Sequence, residues 1–451
     1  MIHFRLDELA APLGARLSGP SVAFQGVSTD SRAVNPGELF VALEGDRFDG
    51  HGFVKDAVAR GAAAVMVRHG ADVGAPALVV DDTRRALGAL ARHWRRRCTA
   101  RVAAITGSNG KTTVKEMLGA ILRQVAPTLV TRGNLNNDIG VPLTLFRLAE
   151  DDRFAVVEMG ANHGGEIATL AAIAEPDVGV VTNAGPSHLE GFGSIDGVAR
   201  GKGEMFEGLG VEGTAVINAD DAYADLWRQL AGERPVVDFG IDAPAAVKAW
   251  PAAPGQPVCI NLPTGTVSVH LPVPGRHNLM NALAAAAVAS ALDVPLEAIR
   301  SGLEGVSPVA GRLNRRSGVA GSTVLDDTYN ANPASLAAGL EVLAAARGER
   351  WLVLGDMGEL GADGAALHAD AGRRARDAGV GRLFAVGPLS AEAAAAFGAG
   401  AQHCHDQQAL IGALREALTG DVTVLVKGSR SMGMERVVQA LEAGDTAGGR
   451  G

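Results

Sequence analysis

Short apolar runs that end at glycine or polar residues recur along the chain. The clearest are Val102–Thr106, Phe154–Val157 and Val178–Thr182 in the middle, and Thr323–Leu325, Trp351–Leu354, Arg382–Val386 and Val422–Val426 toward the end. Between them lie stretches of helical spacing, such as 112–124 and the alanine-rich 282–292. Runs of strand length alternating with helical stretches predict parallel sheets covered by helices, the α/β class. The first part repeats this on a smaller scale, with strands predicted at 22–27, 38–43, 63–67 and 77–80 and a helix at 53–60. From 81 to 98, Leu87, Leu90, Ala91 and Trp94 share one face of a helix that leads into the middle of the chain. Residues 214–275, richer in proline and β-formers, read as an irregular β insertion, and those from about Gly444 as a frayed polar tail. At 451 residues the chain exceeds what one core organises, and the pattern divides it into 1–84, 85–310 and 311–451.

Composition narrows the class without changing it. Hydrophobic content of 47% with only 4% aromatics, and 59 glycines, favour a glycine- and alanine-rich α/β protein over a β-sandwich. A net charge of −9 offers no general attraction to nucleic acid or an acidic membrane, so Arg92, Arg95, Arg96 and Arg97 read as a solvated helix end. Cys98, Cys259 and Cys404 are odd in number and far apart, which argues against a disulfide framework and fits a reducing cytoplasm. The start of the chain has no signal-peptide core, and no stretch approaches transmembrane length, so a soluble cytoplasmic protein without membrane insertion is expected.

Candidate chemistry centres on Thr106-Gly107-Ser108-Asn109-Gly110-Lys111-Thr112-Thr113, which follows an apolar strand and opens a helix. Gly107 and Gly110 permit a turn whose N–H groups point at an anion, Lys111 suits outer phosphates and Thr112 suits Mg²⁺. The general phosphate-loop pattern wants a glycine where Ile105 stands, so the match is to a shorter variant. Glu158 and His188 also lie just past predicted strands, at the sheet edge where ligands gather in open parallel sheets. A carboxylate there suits Mg²⁺, and a histidine tolerates Mn²⁺ better. Several positions keep two readings. Ser28, Thr29, Asp30, Ser31 and Arg32 could bind ribose, uracil or phosphate, or form a solvated turn. Asn134, Asn136 and Asn137 could contact a polar substrate or serve as caps, as could Asn278 and Asn281, three apart on one helical face. Lys202 is by default a helix-surface lysine, and His403-Cys404-His405 reads as surface loop.

Together these landmarks resemble the Mur ligase family of ATP-dependent amide-forming enzymes of peptidoglycan synthesis. The motif 106–113, Glu158, Asn-Ala-Gly-Pro-Ser-His at 183–188, Lys202, His-Asn-x-x-Asn at 277–281 and Arg312 match the family pattern in order along essentially the whole chain. The resemblance implies three domains: a central phosphate-loop ATPase domain with a parallel sheet, an N-terminal domain for a UDP-linked substrate, and a C-terminal Rossmann-like domain. Ser-Thr-Asp-Ser-Arg, Asn-Leu-Asn-Asn-Asp-Ile-Gly-Val-Pro, Asp-Asp-Thr-Tyr-Asn-Ala-Asn-Pro, Leu-Gly-Asp-Met-Gly-Glu-Leu-Gly and Lys-Gly-Ser-Arg-Ser-Met point to one branch of the family. That branch joins D-alanyl-D-alanine to UDP-N-acetylmuramoyl-tripeptide through an acyl phosphate. The Asp-Asn-Pro-Arg motif of the diaminopimelate-adding branch is absent. The resemblance further implies ATP and Mg²⁺, with Mn²⁺ as a substitute, metal contacts at Thr112, Glu158 and His188, and a carbamylated Lys202. It implies nucleotide contacts at Asn278, Asn281, Arg312 and Asp327, domain closure, and a monomer. Two readings outside the family compete: a nucleotide-gated binding protein, and a phosphotransferase with a small acceptor.

Overall fold

The computed structural model describes the chain except residues 46–47, 72–73, 251–252, 254–255, 308 and 444–451, so the expected polar tail lies outside the described residues. The first part carries β1 (His3–Arg5), β2 (Arg16–Ser18), β3 (Ala23–Gln25), β4 (Val27–Ser28), β5 (Leu39–Val41), β6 (Glu44–Gly45), β7 (Phe48–Asp49), β8 (Ala64–Arg68) and β9 (Ala77–Val80). Five of these form a sheet in the order β2-β9-β8-β5-β4. The strand predicted at 22–27 is broken in two at Gly26, whose φ of 87° ends β3 and starts β4 in another sheet.

The middle of the chain builds one nine-stranded sheet from β10 (Arg101–Thr106), β11 (Thr128–Val130), β12 (Phe154–Glu158), β13 (Val178–Val181), β14 (Thr214–Asn218), β15 (Val236–Gly240), β16 (Val247–Ala249), β17 (Val258–Leu262) and β18 (Gly265–Val269). Its order is β11-β12-β10-β13-β14-β15-β16-β17-β18. Residues 214–269 are therefore no irregular insertion. β14 to β16 continue the parallel sheet, and β17 and β18 close it as an antiparallel hairpin. Val216, Ile217, Phe239 and Val247 are buried in its core, which overrides the prolines between the strands. The helix Arg276–Ala291, with Ala282 and Ala284 to Ala287 all buried, packs with the helix Lys111–Arg123 on one face of this sheet.

The helix Thr83–Arg95 joins the first two parts. Asp82 caps its N-terminus by accepting from the Arg84 and Arg85 N–H groups. Leu87, Leu90 and Trp94 enter one continuous core with Leu39 and Met66 on one side and Val141, Leu145 and Leu170 on the other. Arg92, Arg96 and Arg97 are exposed, as expected of a solvated end, but each also has a carboxylate partner, and Arg95 is largely buried. Arg92 and Arg96 both bind Glu175, at 2.8 and 2.6 Å, Arg95 reaches Asp177 at 3.0 Å, and Arg97 pairs with Glu8 at 3.2 Å. Arg92, Arg95 and Arg96 tie the helix to the segment just before β13, and Arg97 ties it to the first part. Exposed pairs contribute only about 0.2–1 kcal/mol each, so the shared apolar core holds the helix.

The last part forms a six-stranded sheet from β19 (Asn314–Ser317), β20 (Thr323–Asp327), β21 (Glu349–Gly355), β22 (Arg382–Val386), β23 (Ala401–Cys404) and β24 (Val422–Lys427), in the order β19-β20-β24-β21-β22-β23. All neighbours except β19 and β20 run parallel, and helices bury both faces. His403 and Cys404 lie on the edge strand β23 rather than in a loop. Cys404 is buried, and His403 Nε2 lies 2.9 Å from the Gly387 carbonyl oxygen. No helix among the described residues is long and apolar enough to cross a membrane.

Candidate active site

Strand register sets the site. β10 lies between β12 and β13, with Ile105 opposite Glu158 and Thr106 opposite Val181, so the loops after all three strands open into one space. The loop after β10 is glycine-dependent at two places. At Gly107 (φ 142°) a Cβ would stand 2.0 Å from Thr182 Oγ1, and at Gly110 (φ 86°) 2.3 Å from Asn281 Oδ1. The loop after β13 braces it. Ser108 N–H donates to the Asn183 carbonyl and Asn109 N–H to Asn183 Oδ1, both at 3.0 Å, while Thr182 Oγ1 donates to the Asn109 carbonyl at 2.6 Å. Ser187 Oγ donates to Ser108 Oγ at 2.9 Å. Lys111 opens the following helix and folds back, its Nζ donating to the Gly107 carbonyl at 2.6 Å.

Glu158, only 1% exposed, ends β12 beside this loop. Its Oε1 accepts from Asn136 Nδ2 at 2.9 Å, its own N–H donates to Thr131 Oγ1, and Lys115 Nζ stands 3.8 Å from Oε2. Oε2 itself has no hydrogen-bond partner, nor has Thr106 Oγ1. A buried carboxylate oxygen without a hydrogen bond and the Thr112 hydroxyl belong to residues lining the same cleft, an oxygen donor set suited to Mg²⁺. Among the described residues no group of three or more His, Cys, Asp or Glu is arranged to hold a metal unaided, so phosphate oxygens and waters would complete such a shell.

Lys202, read from sequence as a surface lysine by default, is 1% exposed. The helix Ile195–Glu207 turns it inward, where Nζ donates to the Ala161 carbonyl at 3.0 Å and sits 5.1 Å from the Phe192 ring centre. Burial, and next the Lys111 charge, pull its pKa down to about 7, against Glu166 and Glu204. His188 stands in a left-handed conformation (φ 52°), and its Nδ1 meets Glu359 Oε2 at 2.7 Å. Burial lowers its pKa, with Glu359 opposing and Lys202 and Lys111 adding to the fall. Burial lowers that of Lys111 too, with Glu158 opposing and Arg312 adding.

The last part of the chain closes over this wall. Arg312 Nη2 donates to Thr112 Oγ1 at 3.1 Å, with its guanidinium over the Tyr329 ring at 4.3 Å. Asn332 Nδ2 donates to Asn109 Oδ1 at 2.9 Å. Asp327 lines the cleft and binds Lys427 Nζ at 2.5 Å. Asn278 and Asn281 lie at the start of the helix Arg276–Ala291, joined by a 3.3 Å bond from Asn281 Nδ2 to Asn278 Oδ1. All of these, with Lys111, Thr112, Thr113, Glu158 and His188, line one cleft of about 1730 Å³. Asn134, Asn136 and Asn137 line it as well, and Asn137 also caps the helix Gly140–Leu145 by accepting from Gly140 N–H at 2.8 Å.

Ser28 to Arg32 do not line this cleft. Asp30 pairs through both oxygens with Arg32, at 2.9 Å each, and Ser28 Oγ donates to the Asp30 carbonyl. The Arg32 guanidinium pulls the Asp30 pKa down to about 2. Sequence reasoning passed over Lys115, although it sits one helical turn after Lys111 on the same face. Asn183, Glu359 and Asn332 stand in loops after strands and Lys427 ends β24, and the local pattern gives none of them a role. Their partners lie at 3.0 Å or less in distant segments, which local patterns do not reveal.

Comparison with known proteins agrees with this architecture. Residues 23–95 match the family model described as Mur ligase family, catalytic domain, residues 105–289 the Mur ligase middle domain, and residues 311–430 the Mur ligase, glutamate ligase domain. The chain is 45% identical to the UDP-N-acetylmuramoyl-tripeptide--D-alanyl-D-alanine ligase of Escherichia coli K12, covering 99% of this chain and 100% of the relative. Among solved structures it superposes on the UDP-N-acetylmuramoylalanyl-D-glutamyl-2,6-diaminopimelate--D-alanyl-D-alanyl ligase of Acinetobacter baumannii with a TM-score of 0.87, at 36% identity over 97% of this chain and 98% of that one. It also superposes on MurF ligase from Thermotoga maritima in complex with ADP with a TM-score of 0.84, at 28% identity over 92% and 96%.

Proposed function

The chain belongs to the Mur ligase family, and from that membership we propose that it is the ATP-dependent ligase that joins D-alanyl-D-alanine to UDP-N-acetylmuramoyl-tripeptide in peptidoglycan precursor synthesis. One observation carries the site assignment: a glycine loop with Lys111 shares a cleft with a buried, partly unpartnered carboxylate at Glu158 and with residues from the last sheet. We take residues 1–84 to hold the UDP end, 85–310 the ATP and 311–451 the dipeptide, in a monomer acting in the cytoplasm.

A carboxylate and an amine do not condense in water, so the reaction runs through activation. The tripeptide carboxylate attacks the γ-phosphorus of ATP, forming an acyl phosphate as ADP leaves. The dipeptide amine then attacks the acyl carbon, gives up a proton, and inorganic phosphate departs. The protein's part in the first step is alignment and charge neutralisation. Lys111 and the N–H groups of 107–113 receive the phosphates, Asn278, Asn281, Arg312 and Asp327 hold the nucleotide from both sides, and Asn134, Asn136 and Asn137 border the acceptor. Thr112, Glu158 and His188 would hold Mg²⁺, or Mn²⁺ in its place, which supplies positive charge at the phosphoryl oxygens. Lys202 fits a carbamate: a pKa near 7 leaves much of the amine neutral, the form that reacts with CO₂, and the product is an anion beside cations.

The alternatives of a gated binding protein and a small-acceptor phosphotransferase have no observation in their favour, whereas relatives matched over their full length are ligases by name. The deciding assay is phosphate release from ATP by the purified chain. Release that needs both UDP-N-acetylmuramoyl-tripeptide and D-alanyl-D-alanine is the expected result, and ATPase activity indifferent to the dipeptide would sink the reading.

A further inference from the structure

Lys115 is 1% exposed, yet it lines the main cleft together with Lys111, Thr112, Asn136 and Glu158. The helix Lys111–Arg123 carries it one turn beyond Lys111, about 6 Å further along the axis and on the same face. Lys111 folds back toward the phosphate loop, where the Gly107 and Ser108 carbonyls accept from its Nζ at 2.6 and 3.3 Å. Lys115 stays on the side of β12. Its Nζ stands 3.0 Å from Glu116 Oε1 and 3.8 Å from Glu158 Oε2.

A buried ammonium carries three donors and is costly to leave short of partners. Lys427, which lines the same cleft, donates to Asp327 and to the Asn330 carbonyl. Lys115 donates to no carbonyl or hydroxyl among the described residues. Its carboxylates satisfy it incompletely. Glu116 is half-exposed and also lines a smaller recess of about 500 Å³, where Arg123, Arg132 and Arg147 add positive charge. Glu158 Oε2 lies beyond hydrogen-bond length, and Oε1 is taken by Asn136 Nδ2 at 2.9 Å. Spare donors placed between the phosphate loop and the asparagine loop suit a further anion that arrives with substrate. The reaction has one: a carboxylate must come close to a triphosphate of like charge, and a fixed cation beside the nucleophile lowers that repulsion.

We propose that Lys115 binds the reacting carboxylate of the acceptor and aims it at the γ-phosphorus, while Lys111 receives the phosphates. The inference rests on the ligase reading and deepens it. One carboxylate oxygen accepts from Lys115 Nζ; the other forms the bond to phosphorus as the bond to the ADP oxygen breaks. Lys115 keeps its protons throughout. In the acyl phosphate its Nζ stays on the carbonyl oxygen, where negative charge gathers when the dipeptide amine attacks.

The test is equilibrium binding to the full chain by calorimetry, with a non-hydrolysable ATP analogue bound. The two ligands are UDP-N-acetylmuramoyl-tripeptide and the same molecule with its reacting carboxylate converted to the amide. Wild type is expected to bind the acid about 10- to 100-fold tighter than the amide. K115Q should bind the two alike and keep its affinity for the ATP analogue. K115R keeps the charge, guards against misfolding of K115Q, and should retain a preference for the acid. Equal binding of acid and amide by wild type, or by a K115R with a normal melting temperature, overturns the proposal. So does a K115Q that keeps the wild-type preference; if it also loses the ATP analogue, Lys115 belongs to the phosphates. Binding of neither tripeptide form by wild type would instead overturn the ligase reading itself, and this inference with it.

Discussion

The two walls of the main cleft are built in opposite ways. On the central wall, β-ladder register places Glu158 beside Ile105, and the loop after β13 holds the phosphate loop through hydrogen bonds from or to Thr182, Asn183 and Ser187. That wall is set by the packing of one sheet. The opposite wall reaches across on single side chains: Arg312 to Thr112, Asn332 to Asn109, and Glu359 to His188. Its contacts exist only while the last sheet sits against the central one. A pre-organised wall suits chemistry that needs fixed charge, and a wall made of reaching side chains suits closure around a nucleotide.

Variants should separate the walls by size of effect. Lys111→Ala is expected to lower turnover by about 10³-fold or more, with a melting temperature close to wild type. Near-normal phosphate release would remove the loop from the chemistry. Lys202→Ala should lose roughly 100-fold and recover partly with added short carboxylates. Because its amine becomes neutral as pH rises through about 7, a carbamate carbon signal from ¹³C-bicarbonate should be weak at pH 6 and grow above 7. Absence of that signal in wild type across the range would reject the carbamate.

On the opposite wall the losses should be smaller and of another kind. Arg312→Ala is expected to raise KM for ATP about 10-fold while changing kcat less, measured under saturating acceptor and dipeptide. A pure kcat loss would move Arg312 into the chemical step. Glu359→Gln should cost about fivefold in kcat/KM at most, since the carboxylate is 60% exposed and such pairs contribute little. An effect as large as that of Lys202→Ala would erase the distinction between the walls.

Much of this is legible in the sequence. The apolar runs of β10, β12, β13, β21, β22 and β24 stand out because strands buried on both faces must be continuously apolar, and the polar residues after them mark the ligand edge. Gly107 and Gly110 announced a turn, and the structure adds the reason in Thr182 and Asn281. Where local pattern misled, tertiary packing had the last word. Residues 214–269 looked irregular because their strands are short and proline-separated, yet neighbours already in the sheet order them. The arginines at the end of the helix Thr83–Arg95 gave no sign of their ion pairs because the carboxylates lie about 80 residues away.

The sequence by itself determined the α/β class, the phosphate loop and the order of the polar loops, because each depends on periodicity or on backbone angles that few residues accept. Only the tertiary structure decided that Lys202 turns inward, that Ser28, Asp30 and Arg32 bond one another outside the main cleft, and that Arg123, Arg132 and Arg147 share a recess. Burial and charge pairing are properties of neighbours in space. At Lys202, which bonds the Ala161 carbonyl, the neighbour is far away in the chain.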